Sequence, residues 1–139
     1  MNDIREFRGS NYYLSNFHMC PVTYKGLTFT NTEAAFHSQK CAYRAHEFTD
    51  LDPSQAKRLG RRVHLREDWE EVKDNIMYEV CMAKFTQHPI LKEKLLATGD
   101  CYLEEGNTWN DTYWGVCKGR GKNKLGHILM KIRQELRNG

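Results

Sequence analysis

The segment "DWEEVKDNIMYEVCMAKFTQ", residues 68–87, constrains the fold most, because its apolar residues recur at helical spacing. The stripe consists of Val72, Ile76, Val80 and Ala83. A helix with one apolar stripe needs other elements to cover that stripe. The chain has 139 residues, of which 40% are hydrophobic, so it can build one core of this kind. We therefore expect a single compact domain over residues 1–139.

Turn and cap signals predict the remaining elements. "CPVTYKGLTFTN" alternates around "KG", which predicts a hairpin near residues 21–30. Four further helices are indicated: one with Asn31 or Thr32 as its cap, one opened by Pro53, one that follows Pro89 and ends at Gly99, and one from about Asn123 to Arg137. The expected buried side of the last helix is Leu125, Ile128, Leu129, Ile132 and Leu136. "CYLEE" is compatible with one short strand. The predicted class is α+β and mostly helical, with about five helices and a small N-terminal antiparallel β element.

Charge and cysteine content narrow the class of protein. The net charge of +3 suits a small anionic ligand and does not require a nucleic-acid duplex as partner. The five cysteines are odd in number and none has CxxC spacing, which argues against a disulfide framework and against a metal site. The N-terminus lacks the apolar core of a signal peptide, and no apolar run is long enough to span a membrane. We expect a soluble cytoplasmic protein without a membrane partner, and make no prediction of its oligomeric state.

The helix that begins near residue 32 carries the first candidate group. Glu33 and Lys40 are seven residues apart, so they share a helix face with Phe36 and His37. One interpretation is structural: a first-turn glutamate complements the helix dipole, and the lysine is solvated. The other interpretation is a carboxylate and an amine that face one pocket.

The long helix contains two further candidate residues, Trp69 and Lys84. Trp69 projects near the apolar stripe, where a tryptophan usually belongs to the core. Lys84 lies at the edge of that stripe, where a lysine usually extends its amine to solvent. A partly buried Lys84 would instead have a lowered pKa and could act as a nucleophile.

The stretch "EEGNTWNDTYWG", residues 104–115, places carboxylates among aromatic rings. The carboxylates are Glu104, Glu105 and Asp111, and the rings are Trp109, Tyr113 and Trp114. This composition suits a turn. It also suits a pocket that stacks a planar ring and sets a carboxylate beside it.

The loop "GRGKNKLG", residues 119–126, leads into the last helix. It lacks the order of glycines and lysine that defines a Walker A motif. Backbone amides at a helix start favour an anion, and Arg120, Lys122 and Lys124 add positive charge. With Asn123 as the expected cap, the loop predicts a site for one phosphate. The alternative is a flexible solvated loop.

Several of these segments together resemble one family. "YYLSNF", "TNTEAAFHSQK", "DWEEVKDNIM", "MAKF", "NDTYWG" and "GKNKLGHILMKIR" occur in this order. The chain resembles the NADAR family, the YbiA-like N-glycosidases, from about Phe7 to Leu136. The resemblance implies the NADAR fold, hydrolysis of an N-glycosidic bond, and no metal or organic cofactor.

The resemblance also implies the substrate classes. The first is a small phosphorylated ribosyl heterocycle, a ribosylaminopyrimidine 5′-phosphate of the riboflavin pathway, which yields ribose 5-phosphate. The alternative is ADP-ribosylated nucleic acid, from whose guanine bases ADP-ribose is removed. A third possibility, of another class, is a non-catalytic binder of nucleotides or ADP-ribose. In both enzymatic cases either a carboxylate activates water, or a lysine attacks C1 and forms a Schiff base.

The family's functional residues are expected at matching positions of this chain. The candidate catalytic residues are Glu33, Asp111, Lys40 and Lys84, the two lysines being alternatives. The candidate substrate-binding residues are Asn16, Phe17, Trp69, Tyr113, Trp114, Gly115, Gly121, Lys122, Asn123 and Gly126. The chain departs from the family at residues 116–120, where "VCKGR" replaces a more glycine-rich loop. This departure leaves open whether the loop takes one phosphate or two.

Overall fold

A β-hairpin precedes most of the helices in the computed structural model, which describes residues 2–139. Strand β1 (Met19–Tyr24) pairs antiparallel with β2 (Leu27–Asn31). The two residues of the turn between them, Lys25 and Gly26, have φ angles of 50° and 83°. Two successive positive φ angles match the tight turn that hairpins prefer. The predicted hairpin is confirmed.

Helix α1 (Thr32–Ser38) begins where β2 ends, and Asn31 is its cap. The Oδ1 atom of Asn31 accepts a hydrogen bond from the Ala34 amide at 2.8 Å, and its Nδ2 donates to the Leu51 carbonyl at 2.9 Å. Asn31 is fully buried, and its bond with Ala34 is shielded from water, whereas the bond with Leu51 is only partly buried. Of the two caps that the sequence allowed, the structure has Asn31.

Residues Asn16–Gln87 form one unit, in which α3 (Trp69–Gln87) is the longest helix. A 3-10 helix (Ala42–Phe48) and α2 (Pro53–Gly60) lie between α1 and α3 in sequence. Helix α3 packs on β1 and α1. Its buried residues are Trp69, Ile76, Met77, Val80, Cys81, Lys84 and Phe85. Of the predicted stripe, Ile76 and Val80 are buried, whereas Val72 and Ala83 are half-buried.

Residues 2–15 and His88–Gly139 form the other unit. It contains a 3-10 helix (Gly9–Leu14), α4 (Pro89–Ala97) and α5 (Lys124–Asn138), and α4 packs on α5. Two short strands, β3 (Gly106–Asn107) and β4 (Val116–Cys117), pair in parallel. On the predicted apolar side of α5, Leu125, Leu129 and Ile132 are buried, whereas Ile128 and Leu136 are half-buried. The expected strand at "CYLEE" reduces to one bridge, between Ile4 and Leu103.

The α+β class, mostly helical with a small N-terminal antiparallel element, is confirmed. All five cysteines are buried and stand outside disulfides. Between residues 2 and 139, no helix has both the length and the apolar character needed to cross a membrane. The same residues include no group of three or more His, Cys, Asp or Glu side chains that could hold a metal ion. That residues 1–139 act as one domain stays a prediction.

Candidate functional site

The start of α1 positions Glu33. The Glu33 amide donates to the Asn16 carbonyl at 3.2 Å, which adds a second anchor to the Asn31 cap. Asn16 is itself buried: its Nδ2 donates to the sulfur of Met77 at 3.2 Å, and its Oδ1 accepts from the Cys81 thiol at 3.6 Å. Asn16 therefore ties the start of α1 to α3. Phe17, the next residue, is half-buried.

The carboxylate of Glu33 is bonded within its own helix. Its Oε2 lies 2.9 Å from Nε2 of His37, one turn later. Both side chains are largely buried, with 13% and 8% of their surfaces exposed for Glu33 and His37. A glutamate in this setting has a defined position, unlike a solvated first-turn glutamate. Glu33 does lie in the first turn of α1, as the structural interpretation expected, and its carboxylate is in addition largely buried and paired with His37.

Lys40 and Trp69 lie close to each other. Helix α1 ends at Ser38, so Lys40 belongs to the turn after the helix, and the prediction of one continuous helix face was wrong for this residue. Its Nζ nevertheless lies 5.6 Å from the ring centroid of Trp69, within the range of a cation–π contact. The buried Trp69 ring also packs against Phe36, with the centroids 5.2 Å apart.

The surroundings of Lys40 lower the pKa of its amine. Partial burial lowers the pKa of the Lys40 amine, and the Glu33 carboxylate acts in the opposite direction. Three further cations lower that pKa again: Arg61, Lys57 and Lys73. Lys40 is thus a half-buried amine beside a carboxylate and an aromatic ring. That this carboxylate and this amine face one pocket stays a prediction.

Lys84 is much more deeply buried, with 1% of its surface exposed. The expectation that its amine reaches solvent was wrong, because α3 is covered along this edge. Burial lowers the pKa of Lys84 to about 8, while Cys20 and Cys81 act in the opposite direction. Burial likewise raises the pKa of the Cys81 thiol to about 12. The amine has a suitable pKa for a nucleophile, but the fold seals it from any ligand of ordinary size.

The burial of Lys84 should make stability depend on pH. An unfolded lysine has a pKa of about 10.4 and holds its proton more tightly than the folded one does. Raising the pH from about 8 to 10 therefore removes a cost of folding in the wild type. We expect the unfolding free energy of the wild type, relative to Lys84→Met, to rise over this window by at most about 1.4 kcal/mol per pH unit. Urea titrations of both proteins measure it, and a flat difference would contradict the buried amine.

In the other unit, Asp111 organises a turn. Its Oδ1 accepts from the amides of Tyr113 at 3.1 Å and Trp114 at 2.9 Å. The side chain of Asn107 binds the backbone of Asp111 through two hydrogen bonds. Its Oδ1 accepts from the Asp111 amide at 3.1 Å, and its Nδ2 donates to the Asp111 carbonyl at 2.9 Å. Such side-chain bonds to amides further along are typical of aspartate in turns. One carboxylate oxygen of Asp111 is thus used structurally.

Tyr113 is approached by two ammonium groups. The Nζ atoms of Lys122 and Lys124 lie 5.3 Å and 5.7 Å from the centroid of its ring. The Tyr113 ring also meets that of Trp114 edge-on, with the centroids 4.8 Å apart. Two positive charges beside one phenol ring form a patch that suits a phosphate, since ammonium groups bind phosphate as point charges.

The backbone at the start of α5 differs from the prediction. The amides of Lys124 and Leu125 donate to the carbonyls of Tyr113 at 3.2 Å and Trp114 at 2.9 Å. Those of Lys122 and Asn123 donate likewise to Thr112 and Gly115. The expectation that the first amides of this helix are open to an anion was therefore wrong for these four. The carbonyls of residues 112–115 occupy them.

Asn123 also departs from its expected role. It has a φ of 52° and stands at the cap position, but its side chain makes no capping bond. Instead Oδ1 accepts from the Glu105 amide at 3.0 Å, and Nδ2 donates to the Leu103 carbonyl at 2.9 Å. The buried amide of Asn123 thus links residues 103–105 to α5. The prediction of a side-chain cap was wrong, because backbone groups distant in sequence compete for it.

Close packing explains the three glycines among the predicted ligands. A Cβ atom on Gly115 would lie 2.0 Å from Oε2 of Glu105 and 2.2 Å from its carbonyl oxygen. On Gly121 it would lie 2.1 Å from the Gly115 carbonyl, and on Gly126 2.2 Å from the Leu103 carbonyl. These distances exclude any side chain. Each glycine is required where two backbone segments touch.

The structure thus brings the predicted residues together in two groups, each within its own unit. The Glu33 group comprises Asn16, Glu33, His37, Lys40 and Trp69, and the Asp111 group comprises Asp111, Tyr113, Trp114, Lys122 and Lys124. His37 was not among the predicted site residues, and Lys124 was predicted only as one of the bases of the phosphate loop. The spacing of four residues from Glu33 was the signal for His37, and the run of bases was the signal for Lys124.

Comparison with known proteins gives consistent results. The NADAR domain model matches residues 5–137. The chain is 41% identical over 128 residues to the N-glycosidase YbiA of Escherichia coli (strain K12), which covers 88% of this chain and 79% of that protein. It is 35% identical over 130 residues to the riboflavin biosynthesis protein VVA0006 of Vibrio vulnificus (strain YJ016), covering 89% of this chain and 35% of the relative. The NMR structure of Escherichia coli YbiA superimposes with a TM-score of 0.87 at 36% identity, over 99% of this chain and 88% of the other.

Proposed function

The chain belongs to the NADAR family, and from that premise we propose that it cleaves the bond between ribose C1 and the exocyclic amine of an aminopyrimidine. It is an N-glycosidase, a hydrolase of N-glycosyl bonds. The proposed substrates are ribosylaminopyrimidine 5′-phosphates of riboflavin biosynthesis, and the sugar product is ribose 5-phosphate. A relative named as a riboflavin biosynthesis protein supports this substrate class. Five thiols outside disulfides suit a reducing, cytoplasmic setting.

One observation carries the proposal: the amine of Lys40 stands beside the Glu33 carboxylate and the Trp69 ring, and its pKa is lowered. A neutral amine has a lone pair with which it can attack ribose C1, whereas an ammonium group has none. Lys84 also has a lowered pKa, but it is sealed inside the fold. Between the two lysines, accessibility therefore favours Lys40 as the nucleophile.

The proposed reaction begins with opening of the sugar ring, in which the ring oxygen gains a proton and C1 becomes doubly bonded to the exocyclic nitrogen. Lys40 then adds to C1 through its nitrogen lone pair. A proton passes to the exocyclic nitrogen, the bond from C1 to that nitrogen breaks, and the aminopyrimidine leaves. Water hydrolyses the remaining Schiff base, which releases ribose 5-phosphate and restores the amine. Glu33 is the group suited to carry these protons.

For the Asp111 group, taken by itself, we propose the binding of a phosphate group. The side chains of Lys122 and Lys124 suit this role, since the neighbouring helix amides are occupied. Trp114 and Tyr113 offer aromatic surface to a flat heterocycle. Asp111 has one carboxylate oxygen committed to the turn and a second that is not used there.

A second candidate function is removal of ADP-ribose from guanine bases of nucleic acid. The observation that favours it is the outward placement of Trp109, which is 54% exposed, together with the exposed bases Lys118 and Arg120. Surfaces that bind single strands use exposed aromatic rings and basic side chains.

Both candidates can be tested with the same protein preparation. The wild type is incubated with ribosylaminopyrimidine 5′-phosphate and, separately, with an ADP-ribosylated oligonucleotide. Release of ribose 5-phosphate supports the first function, and restoration of the unmodified strand supports the second. Binding without turnover of either substrate would leave a non-catalytic binder and would contradict both.

Two charge-removing substitutions test the assigned carboxylates. Glu33→Gln and Asp111→Asn should each lower turnover at least about tenfold, about 1.4 kcal/mol in the barrier. Asparagine keeps an oxygen that can accept the two turn amides, so the second variant removes the charge and leaves the turn. Glu71→Gln, at an exposed glutamate of α3, is the control and should retain full turnover. Wild-type rates in both variants would refute these assignments.

A further inference from the structure

His37 is bonded to the proposed catalytic carboxylate but has no part in the reaction as described. Its Nε2 lies 2.9 Å from Oε2 of Glu33, and both side chains are largely buried. An exposed pair of this kind contributes little order, because both side chains remain mobile. A buried pair on one helix holds the carboxylate in one orientation.

The other nitrogen of His37 has a different environment. Its Nδ1 is buried and has no hydrogen-bond partner among residues 2–139. It lies against Gly60 at the end of α2, where an added Cβ atom would be 2.7 Å away. The ring of Phe36 meets the imidazole edge-on, with the centroids 5.2 Å apart. The imidazole is therefore confined between Phe36 and the backbone of Gly60.

These two environments determine where the ring hydrogen lies. A hydrogen on Nδ1 would be buried without an acceptor, which is costly. A hydrogen on Nε2 meets the Glu33 carboxylate. The ring is accordingly the Nε2–H tautomer, with Nε2 donating to Oε2. Because Nδ1 has no partner among residues 2–139, no protein group stands ready to exchange a proton with it.

We infer that His37 is a positioning residue: its Nε2–H bond to Oε2, backed by the close approach of Gly60, orients Glu33 so that Oε1 meets the substrate. This inference rests on the proposed function of Glu33. If His37 positions Glu33, catalysis also requires that the backbone of α2 lies close to the imidazole. Gly60 supplies that approach, since any side chain there would collide with the ring.

Three variants separate positioning from a general structural role. His37→Phe keeps a ring but removes the donor, and should lower kcat about tenfold while KM changes less than about twofold, because a misplaced catalytic group affects mainly the chemical step. His37→Gln offers an N–H at a similar reach and should restore at least about half of the wild-type kcat. Gly60→Ala keeps a histidine at position 37 but forces its ring to move away from the added methyl group. This variant should lower kcat several-fold.

The control is His64→Gln, at an exposed histidine before α3, which should leave kcat and KM unchanged. Circular dichroism and urea titration establish that each variant is folded. Wild-type kcat in a folded His37→Phe protein would overturn the inference. A loss of kcat in His37→Gln as large as that in His37→Phe would also overturn the inference. It would show that an N–H donor at this position does not restore the function of Glu33.

A second measurement does not depend on turnover. Nitrogen-15 NMR of the histidine rings distinguishes the two tautomers, and His37 should show the Nε2–H form, with its shifts changing in Glu33→Gln. An Nδ1–H form would overturn the inference. Failure of the wild type to hydrolyse any substrate counts against the proposed function alone, since the NMR result is obtained without substrate.

Discussion

Replacing Lys40 by Gln should abolish covalent capture of the substrate. If Lys40 forms a Schiff base with C1, borohydride reduces that bond and leaves the sugar phosphate attached to the protein. The wild type should therefore gain the mass of the reduced adduct on Lys40, and Lys40→Gln should gain none. Turnover of the variant should fall at least about a hundredfold, about 2.7 kcal/mol in the barrier, because a whole covalent route is lost. Mass spectrometry of the intact and digested protein measures the adduct.

The matched control is the other buried amine. Lys84→Met removes a lysine with a lowered pKa that is sealed from ligands, so the adduct should form as in the wild type. An adduct that persists in Lys40→Gln and disappears in Lys84→Met would reverse the assignment. Rapid turnover by the wild type with no trapped adduct would instead indicate that Glu33 activates water directly.

The largest effect on stability is expected from Gly115→Ala. Its Cβ would lie 2.2 Å from the carbonyl oxygen of Glu105, which also accepts a hydrogen bond from the Val116 amide at 2.9 Å. That carbonyl cannot move without breaking the pairing of β3 with β4. Forced overlap with a fixed backbone atom costs more than ordinary overpacking, so we expect a loss of at least about 3 kcal/mol in the unfolding free energy. Urea unfolding followed by circular dichroism measures it.

Gly119→Ala is the comparison for this prediction. Gly119 lies in the same loop at a φ of 76°, but nothing stands within 4 Å of its Cβ position. It therefore isolates the cost of a left-handed backbone for alanine, roughly 1 kcal/mol. Gly115 itself has no positive φ, so a loss in Gly115→Ala no larger than that in Gly119→Ala would show that the contact with Glu105 does not impose the expected cost.

Elements defined by neighbouring residues could be predicted from the sequence. The Lys25–Gly26 turn and the Asn31 cap each depend on a few adjacent residues, and the structure has both. The same holds for the helix opened by Pro53, where Asp52 and Gln55 form a capping box. Turn and cap signals involve only neighbouring residues, so a single sequence is enough to predict them.

Features that depend on distant residues could not be predicted. Periodicity placed Lys84 at the edge of a stripe, but whether that edge is covered depends on the neighbours of α3. Asn123 had the residue type of a cap, yet its amide bonds to Leu103 and Glu105. The same contrast holds within the candidate site. The spacing of Glu33 and His37 could be recognised in the sequence, whereas the contact of Gly60 with the His37 imidazole could not be predicted from it.

The beginning of α5 has a consequence for motion. The first amides of a helix usually lack partners, exchange their hydrogens quickly and fray. Here the amides of residues 122–125 are all bonded to carbonyls of residues 112–115. Hydrogen exchange at this end should therefore be slow, and an opening of the 112–115 loop should unprotect the first turn of α5 at the same time. The basic side chains of that turn and the aromatic side chains of the loop would then be ordered, or lost, as one cooperative unit.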